Sequence, residues 1–169
     1  MTDLEELFRK HYVSMVFYAL RIVSDKALAE DMVQDLFSRL VMRRDKLRLD
    51  RNAKYFLFTS LRNAIIDYKR KFSYISDEPI IADSPDDFSL EDSIFEMELY
   101  EQLYEAIKTL PEKCRRVMEM RLEGNDEHDI AMELGISYET VRAHVKHAKE
   151  KLRAKLKNSV AMTLLIMSL

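Results

Sequence analysis

The sequence predicts an all-α protein: two small helical domains joined by an acidic linker, the second built around two helices set across a tight turn. Three observations carry that expectation. Only two glycines and three prolines occur in 169 residues, too few breakers for a turn-rich β fold. Apolar residues recur at spacings of three and four, the period of a helix with one buried stripe. Charge falls into blocks. Residues 1–72 hold 15 Lys/Arg and 10 Asp/Glu, residues 73–98 hold 9 acidic and no basic residues, and residues 99–169 hold 12 basic and 11 acidic residues. A net charge of −3 therefore hides two neutral-to-basic blocks around an acidic strip, and the layout says more about partners than the total.

Taken in order, the first helix is expected from Asp3 to Ile22, with Leu4, Leu7, Phe8, Met15, Val16, Ala19 and Leu20 as its stripe. Ser24 stands where a helix cap belongs. The second helix is expected from about Asp25 to Arg44, burying Leu28, Met32, Val33, Leu36, Phe37, Leu40 and Val41. A basic loop, Arg48-Leu49-Asp50-Arg51-Asn52, separates it from a third helix over about Ala53–Arg70. That helix is expected to bury Phe56, Leu57, Leu61, Ala64, Ile65 and Tyr68. Three amphipathic helices close one core, so residues 1–72 form the first domain.

Residues 73–96 hold Pro79, Pro85, several Asp and Ser and no basic residue, a linker composition. Helices are expected to resume near Met97, opening a second domain over 97–169, with Leu99, Leu103, Ala106, Ile107 and Leu110 on one stripe. Pro111 opens the next helix, and Gly124 suits its C-terminal cap. The apolar stretch from Val160 to Leu169 is far short of the roughly 20 residues that span a bilayer. It reads as a helix end or sticky tail, and membrane insertion is not expected. Cys114 is the single cysteine, so no intrachain disulfide forms. Charges crowd Met1–Lys10 where a signal peptide needs an apolar run. Both features fit a cytoplasmic location.

The sharpest pattern is Asp129-Ile130-Ala131-Met132-Glu133-Leu134-Gly135-Ile136-Ser137-Tyr138-Glu139-Thr140-Val141-Arg142. A helix-turn-helix needs a small residue where its helices cross, a glycine in the turn, and an apolar residue where the second helix packs back. Ala131, Gly135 and Val141 supply these, with Ile130, Leu134 and Ile136 in the apolar slots and Ser137 as N-cap. The second helix continues through Val145, Ala148, Leu152 and Leu156 on its core side. Its other side carries Glu139, Ala143 and Lys146, with Arg142 and His147 on the flanks. From Ser137 to Lys157 there are 7 basic and 2 acidic residues. A basic helix of this kind enters the major groove and reads base edges near its N-terminus. Glu139 can accept from a cytosine amine, Arg142 or Lys146 can donate to guanine or phosphate, and Ala143 can touch a thymine methyl.

Two further stretches extend the pattern. Ala29-Glu30-Asp31-Met32-Val33-Gln34-Asp35-Leu36-Phe37-Ser38-Arg39-Leu40 resembles the core-binding helix of sigma-70 family transcription initiation factors. Tyr55-Phe56-Leu57-Phe58-Thr59-Ser60-Leu61-Arg62-Asn63-Ala64-Ile65-Ile66-Asp67-Tyr68-Lys69-Arg70 resembles their promoter-melting helix, and Leu110-Pro111-Glu112-Lys113-Cys114-Arg115-Arg116-Val117 the start of their last domain. With a short linker and no large middle domain, the layout is similar to the extracytoplasmic-function (ECF) class. The likeness covers about Leu4 to Leu156.

The resemblance implies a sigma factor with no catalytic residue, cofactor or metal. Glu30, Asp31, Gln34 and Asp35 would face the core RNA polymerase, where an acidic and amide surface suits an arginine-rich partner. Arg48, Arg51, Asn52, Lys54, Tyr55, Arg62, Asn63, Lys69 and Arg70 would hold the −10 element by stacking and hydrogen bonds in a positive groove, with Asn52 reading a flipped base. Tyr55 stays open between core and DNA face, whereas Phe58 reads as core. Ser137, Tyr138, Glu139, Thr140, Arg142, Ala143, Lys146 and His147 would contact the −35 element. An anti-sigma protein is a further implied partner.

The competing readings are weaker. A free-standing helix-turn-helix regulator needs a ligand pocket or dimer face in the first half, and the sequence offers neither. His128-Asp129 and the pair His144, His147 suggest metal chemistry, but three or four ligands must converge. A helical adaptor that binds only protein leaves the basic second helix unexplained.

Overall fold

The computed structural model describes residues 4–43, 53–75, 89–156 and 160–169. Every regular element among them is a helix: α1 (Leu4–Val23), α2 (Lys26–Met42), α3 (Ala53–Ile75), α4 (Leu90–Lys108), α5 (Glu112–Leu122), α6 (Glu127–Leu134), α7 (Tyr138–Lys155) and α8 (Val160–Ser168). The chain divides into two compact units, Met1–Tyr100 and Glu101–Leu169, and the division falls inside α4.

In the first unit α1 is buried along much of its circumference. Leu7, Met15, Val16, Phe17, Tyr18 and Ala19 are all covered, as are His11 and Ser14. One stripe is expected for a helix on a surface; α1 also buries Phe17 and Tyr18 because other helices close on its second side. The His11 ring meets Phe58 edge-on at 5.7 Å, and Phe17 lies 6.4 Å from Tyr100 of α4. Ala29, Val33, Leu36, Phe37 and Leu40 of α2, with Leu57, Phe58, Leu61 and Ile65 of α3, complete the core.

Four sequence expectations change here. Phe8, Val41 and Phe56 were placed on the apolar stripes but are 37%, 52% and 45% exposed. Val41 lies in the last turn of α2, and Phe56 points away from the line of Leu57, Leu61 and Ile65. Ser24 is not the cap of α2. It takes a left-handed conformation, φ 55, and its N–H closes α1 onto the Leu20 carbonyl at 2.8 Å. Asp25 is the cap, accepting from the Leu28 N–H at 3.0 Å.

Helix α4 begins at Leu90, within the segment the composition marks as linker. A reciprocal capping box starts it. The Asp92 N–H donates to Ser89 Oγ at 3.1 Å, and the Ser89 N–H donates to the Asp92 carboxylate at 3.3 Å. Ser93, Met97 and Tyr100 are then buried in the first unit. Residues 76–88, which include the expected linker's Ile80 and Ile81, lie outside the described residues.

The second unit packs α5, α6 and α7 around Val117, Met120, Ile130, Val141 and Val145, with Ala131, Leu134 and Ile136 against them. Glycine ends α5 and α6. Gly124 (φ 89) and Gly135 (φ 62) are left-handed. Each makes the paired bonds of a Schellman cap: Gly124 N–H to the Arg121 carbonyl and Asn125 N–H to Met120, then Gly135 N–H to Met132 and Ile136 N–H to Ala131. The apolar C-terminus is a separate helix, α8, that packs back through Met162 and Ile166.

Candidate nucleic-acid interface

Helix α7 is held by its N-cap. Ser137 Oγ accepts from the Thr140 N–H at 3.1 Å, and Val141 anchors the next turn in the core. The core side of α7 is then Val141, Val145, Ala148 and Leu152. By elimination the other side is free for a ligand: Ser137, Glu139, Thr140, Arg142, Ala143, Lys146 and His147 are all exposed. They share one edge of a helix in a segment with an excess of positive charge.

Tyr138 is half-buried because it is part of a small framework at the start of α7. Its ring stacks on His128, centroids 4.5 Å apart and 17° between planes. The Arg142 guanidinium lies 5.8 Å above the same ring, a cation–π geometry. The hydrogen bond to Glu127 raises the Tyr138 phenol above its ordinary pKa, and Glu127 pairs with Arg121 at 2.9 Å. Asp126 caps α6, accepting from the His128 and Asp129 N–H groups at 2.8 and 2.9 Å. These bonds, that to Asp129 first, hold its carboxyl below the ordinary carboxylate range. Arg121, Glu127 and His128 thus position Tyr138 and Arg142. Sequence spacing gave no sign of this, since the contact depends on how α6 crosses α7.

His144 Nδ1 faces Cys114 Sγ at 3.6 Å, while His128 is stacked on Tyr138. Among the described residues no group of three or more His, Cys, Asp or Glu side chains is placed to hold a metal ion.

In the first unit α3 carries Lys54, Tyr55, Arg62, Asn63, Lys69 and Arg70. Tyr55, Arg62 and Lys69 are seven apart and so share one line of the helix, with Asn63 and Arg70 on the next. Tyr55 is 51% exposed, which takes it out of the core, whereas Phe58 is fully buried. Lys54 and Arg62 are engaged with α4. Lys54 Nζ pairs with Glu98 at 3.0 Å, and Arg62 Nε donates to Ser93 Oγ at 3.1 Å. Arg48, Arg51 and Asn52 lie outside the described residues.

On α2, Asp31, Gln34 and Asp35 are exposed and Glu30 is half-buried. Asp31, Gln34, Asp35 and Ser38 fall at i, i+3, i+4 and i+7, one face of a helix. With Met32 and Tyr68 they line a shallow recess. The amide of Gln34 reaches Tyr12 Oη at 3.4 Å, and Asp35 pairs with Arg39 at 3.4 Å. Buried Val33, Leu36 and Phe37 on the opposite side fix the direction of this face.

The sequence matches the family Sigma-70 region 2 over residues 7–73 and the family Sigma-70, region 4 over residues 100–152. It is similar to RNA polymerase sigma factor SigZ of Bacillus subtilis (strain 168), at 25% identity over 152 residues, covering 89% of this chain and 85% of that protein. Region 2 therefore spans α1 to α3, and region 4 holds the helix-turn-helix of α6 and α7. The chain belongs to the sigma-70 family, with the two-region layout of its ECF class.

Proposed function

We propose that this chain is a sigma factor that binds core RNA polymerase and directs it to promoters, with residues 1–72 melting the −10 element and residues 97–169 reading the −35 element. The observation that carries this reading is the exposed edge of α7, held on a capped and tightly turned pair of helices, in the same chain as the acidic face of α2. Glu30, Asp31, Gln34 and Asp35 contact the polymerase. Lys54, Tyr55, Arg62, Asn63, Lys69 and Arg70, with Arg48, Arg51 and Asn52, take the −10 element. Arg142, Lys146 and Glu139 read −35 base edges, while Ser137, Tyr138, Thr140, Ala143 and His147 position the backbone and thymine methyls. The work is binding rather than bond-making, and its location is the cytoplasm. No helix among the described residues is long and apolar enough to cross a membrane. An anti-sigma protein that covers the α2 face is a fitting partner.

The test is co-purification with bacterial core polymerase and runoff transcription, comparing the native chain with Gln34→Ala/Asp35→Ala. The double substitution is expected to weaken core binding roughly tenfold, or about 1.4 kcal/mol, and to lower runoff accordingly. Failure of the folded native chain to bind a matched core would overturn the reading.

A further inference from the structure

The first turns of α4 lie on the surface that region 2 is proposed to offer to DNA. Two polar links join them to it, and a third joins them to α1. Glu98 pairs with Lys54 at 3.0 Å, Ser93 Oγ accepts from Arg62 at 3.1 Å, and Glu96 pairs with Arg21 of α1. Ser93 is 2% exposed and also contacts Tyr18. Beside these links Met97 is fully buried and Tyr100 nearly so, which gives the contact an apolar anchor. The helix reaches this surface as the end of a stretch, residues 73–98, with nine carboxylates and no cation. The Glu98 carboxylate on Lys54 and the Ser93 hydroxyl on Arg62 stand where phosphates or base edges would be held.

We propose that residues 89–100 form an intrachain mask, in which Ser93 and Glu98 hold Arg62 and Lys54 so that DNA reaches this face only when α4 moves off it. The inference rests on the reading of Lys54 and Arg62 as −10 contacts. The links suit a contact that opens. Lys54 and Glu98 are both over a third exposed, and pairs of that kind hold weakly and are screened by salt. A face that is mostly covered binds with an affinity reduced by the fraction of molecules in which it is open.

The experiment measures binding of the full chain to a labelled single-stranded DNA of mixed sequence, by fluorescence anisotropy. Ser93→Ala/Glu98→Gln removes two links and one negative charge. Glu91→Gln removes one charge from an exposed position on the same helix. The first variant is expected to bind about tenfold tighter, the gain for a face open in roughly one molecule in ten. The second should gain no more than about twofold from its charge alone. Adding Lys54→Ala/Arg62→Ala should abolish the larger gain. Equal gains for the two carboxylate variants, or none, would overturn the mask while leaving the −10 reading intact, provided Lys54→Ala/Arg62→Ala still weakens binding of the otherwise native chain. If that substitution weakens nothing, both the mask and the −10 reading of these residues fall. Hydrogen exchange gives a second readout: saturating DNA should speed exchange of the amides at 93–98, and unchanged protection there would also overturn the mask.

Discussion

The two units present their proposed DNA surfaces differently. In the second, the edge of α7 from Ser137 to His147 faces outward, and the partners of its half-buried member, Tyr138, sit behind it on α6. In the first, Lys54 and Arg62 are already bonded to residues of α4. One proposed surface is preassembled, and the other, on the proposed mask, exchanges partners before it binds. Preorganised contacts lower the ordering cost of binding, so duplex recognition belongs with the second unit. A surface that trades one set of contacts for another suits a step that follows docking on the polymerase.

The largest expected effect separates the units outright. Ile130 is fully buried in the second core, so Ile130→Asp places an unpaired charge there, at a cost of about 4 kcal/mol or more. Hydrogen exchange should show α5–α7 unprotected while α1–α3 keep their protection. Loss of protection throughout would show that the units fold as one.

Next in size is Arg142→Ala. Removing a base or phosphate contact from α7 should cost about 1–3 kcal/mol in −35 duplex affinity and leave single-stranded −10 binding by the first unit unchanged. Equal losses on both DNAs, measured by anisotropy, would erase the proposed division of labour.

A smaller effect is expected at Gly135. A Cβ there meets nothing within 4 Å, so Gly135→Ala is opposed by its positive φ alone, about 1–2 kcal/mol. Gly135→Asn should recover part of the loss in a thermal melt, because asparagine tolerates the left-handed conformation.

The smallest effect is pH-dependent. The Asp126 carboxyl is held below its ordinary range, so its stabilising contribution is complete above the unfolded value of about 3.9. That contribution is lost as pH falls through the lower folded value. Asp126→Ala should therefore lower the melting temperature slightly near neutral pH, and the difference from the native chain should shrink in acid. A difference that grew in acid would contradict the cap.

How much of this was legible beforehand varies with the range of the interaction. The helix-turn-helix of the second unit was readable, because Ala131, Gly135, Ser137 and Val141 are fixed by local turn and cap chemistry. The face of α2 followed from its apolar stripe. By contrast, the start of α4 was obscured by acidic composition, although Ser89 and Asp92 carry a capping-box signal. The burial of Phe17 and Tyr18 needs a second packing partner that periodicity within α1 does not reveal. Helix α8 is apolar around its whole circumference, so no stripe marks Met162 and Ile166 as its packed side. The framework of Arg121, Glu127, His128 and Tyr138 arises only when α6 and α7 cross.

The most direct test of the account is permanganate footprinting on a promoter recovered by runoff from genomic DNA, with core polymerase, the chain, or both. The account predicts reactive unpaired thymines at the −10 element only when both are present, together with protection upstream that Arg142→Ala removes. Upstream protection by the chain alone, with core adding no melting, would contradict it and identify a regulator that acts without the polymerase.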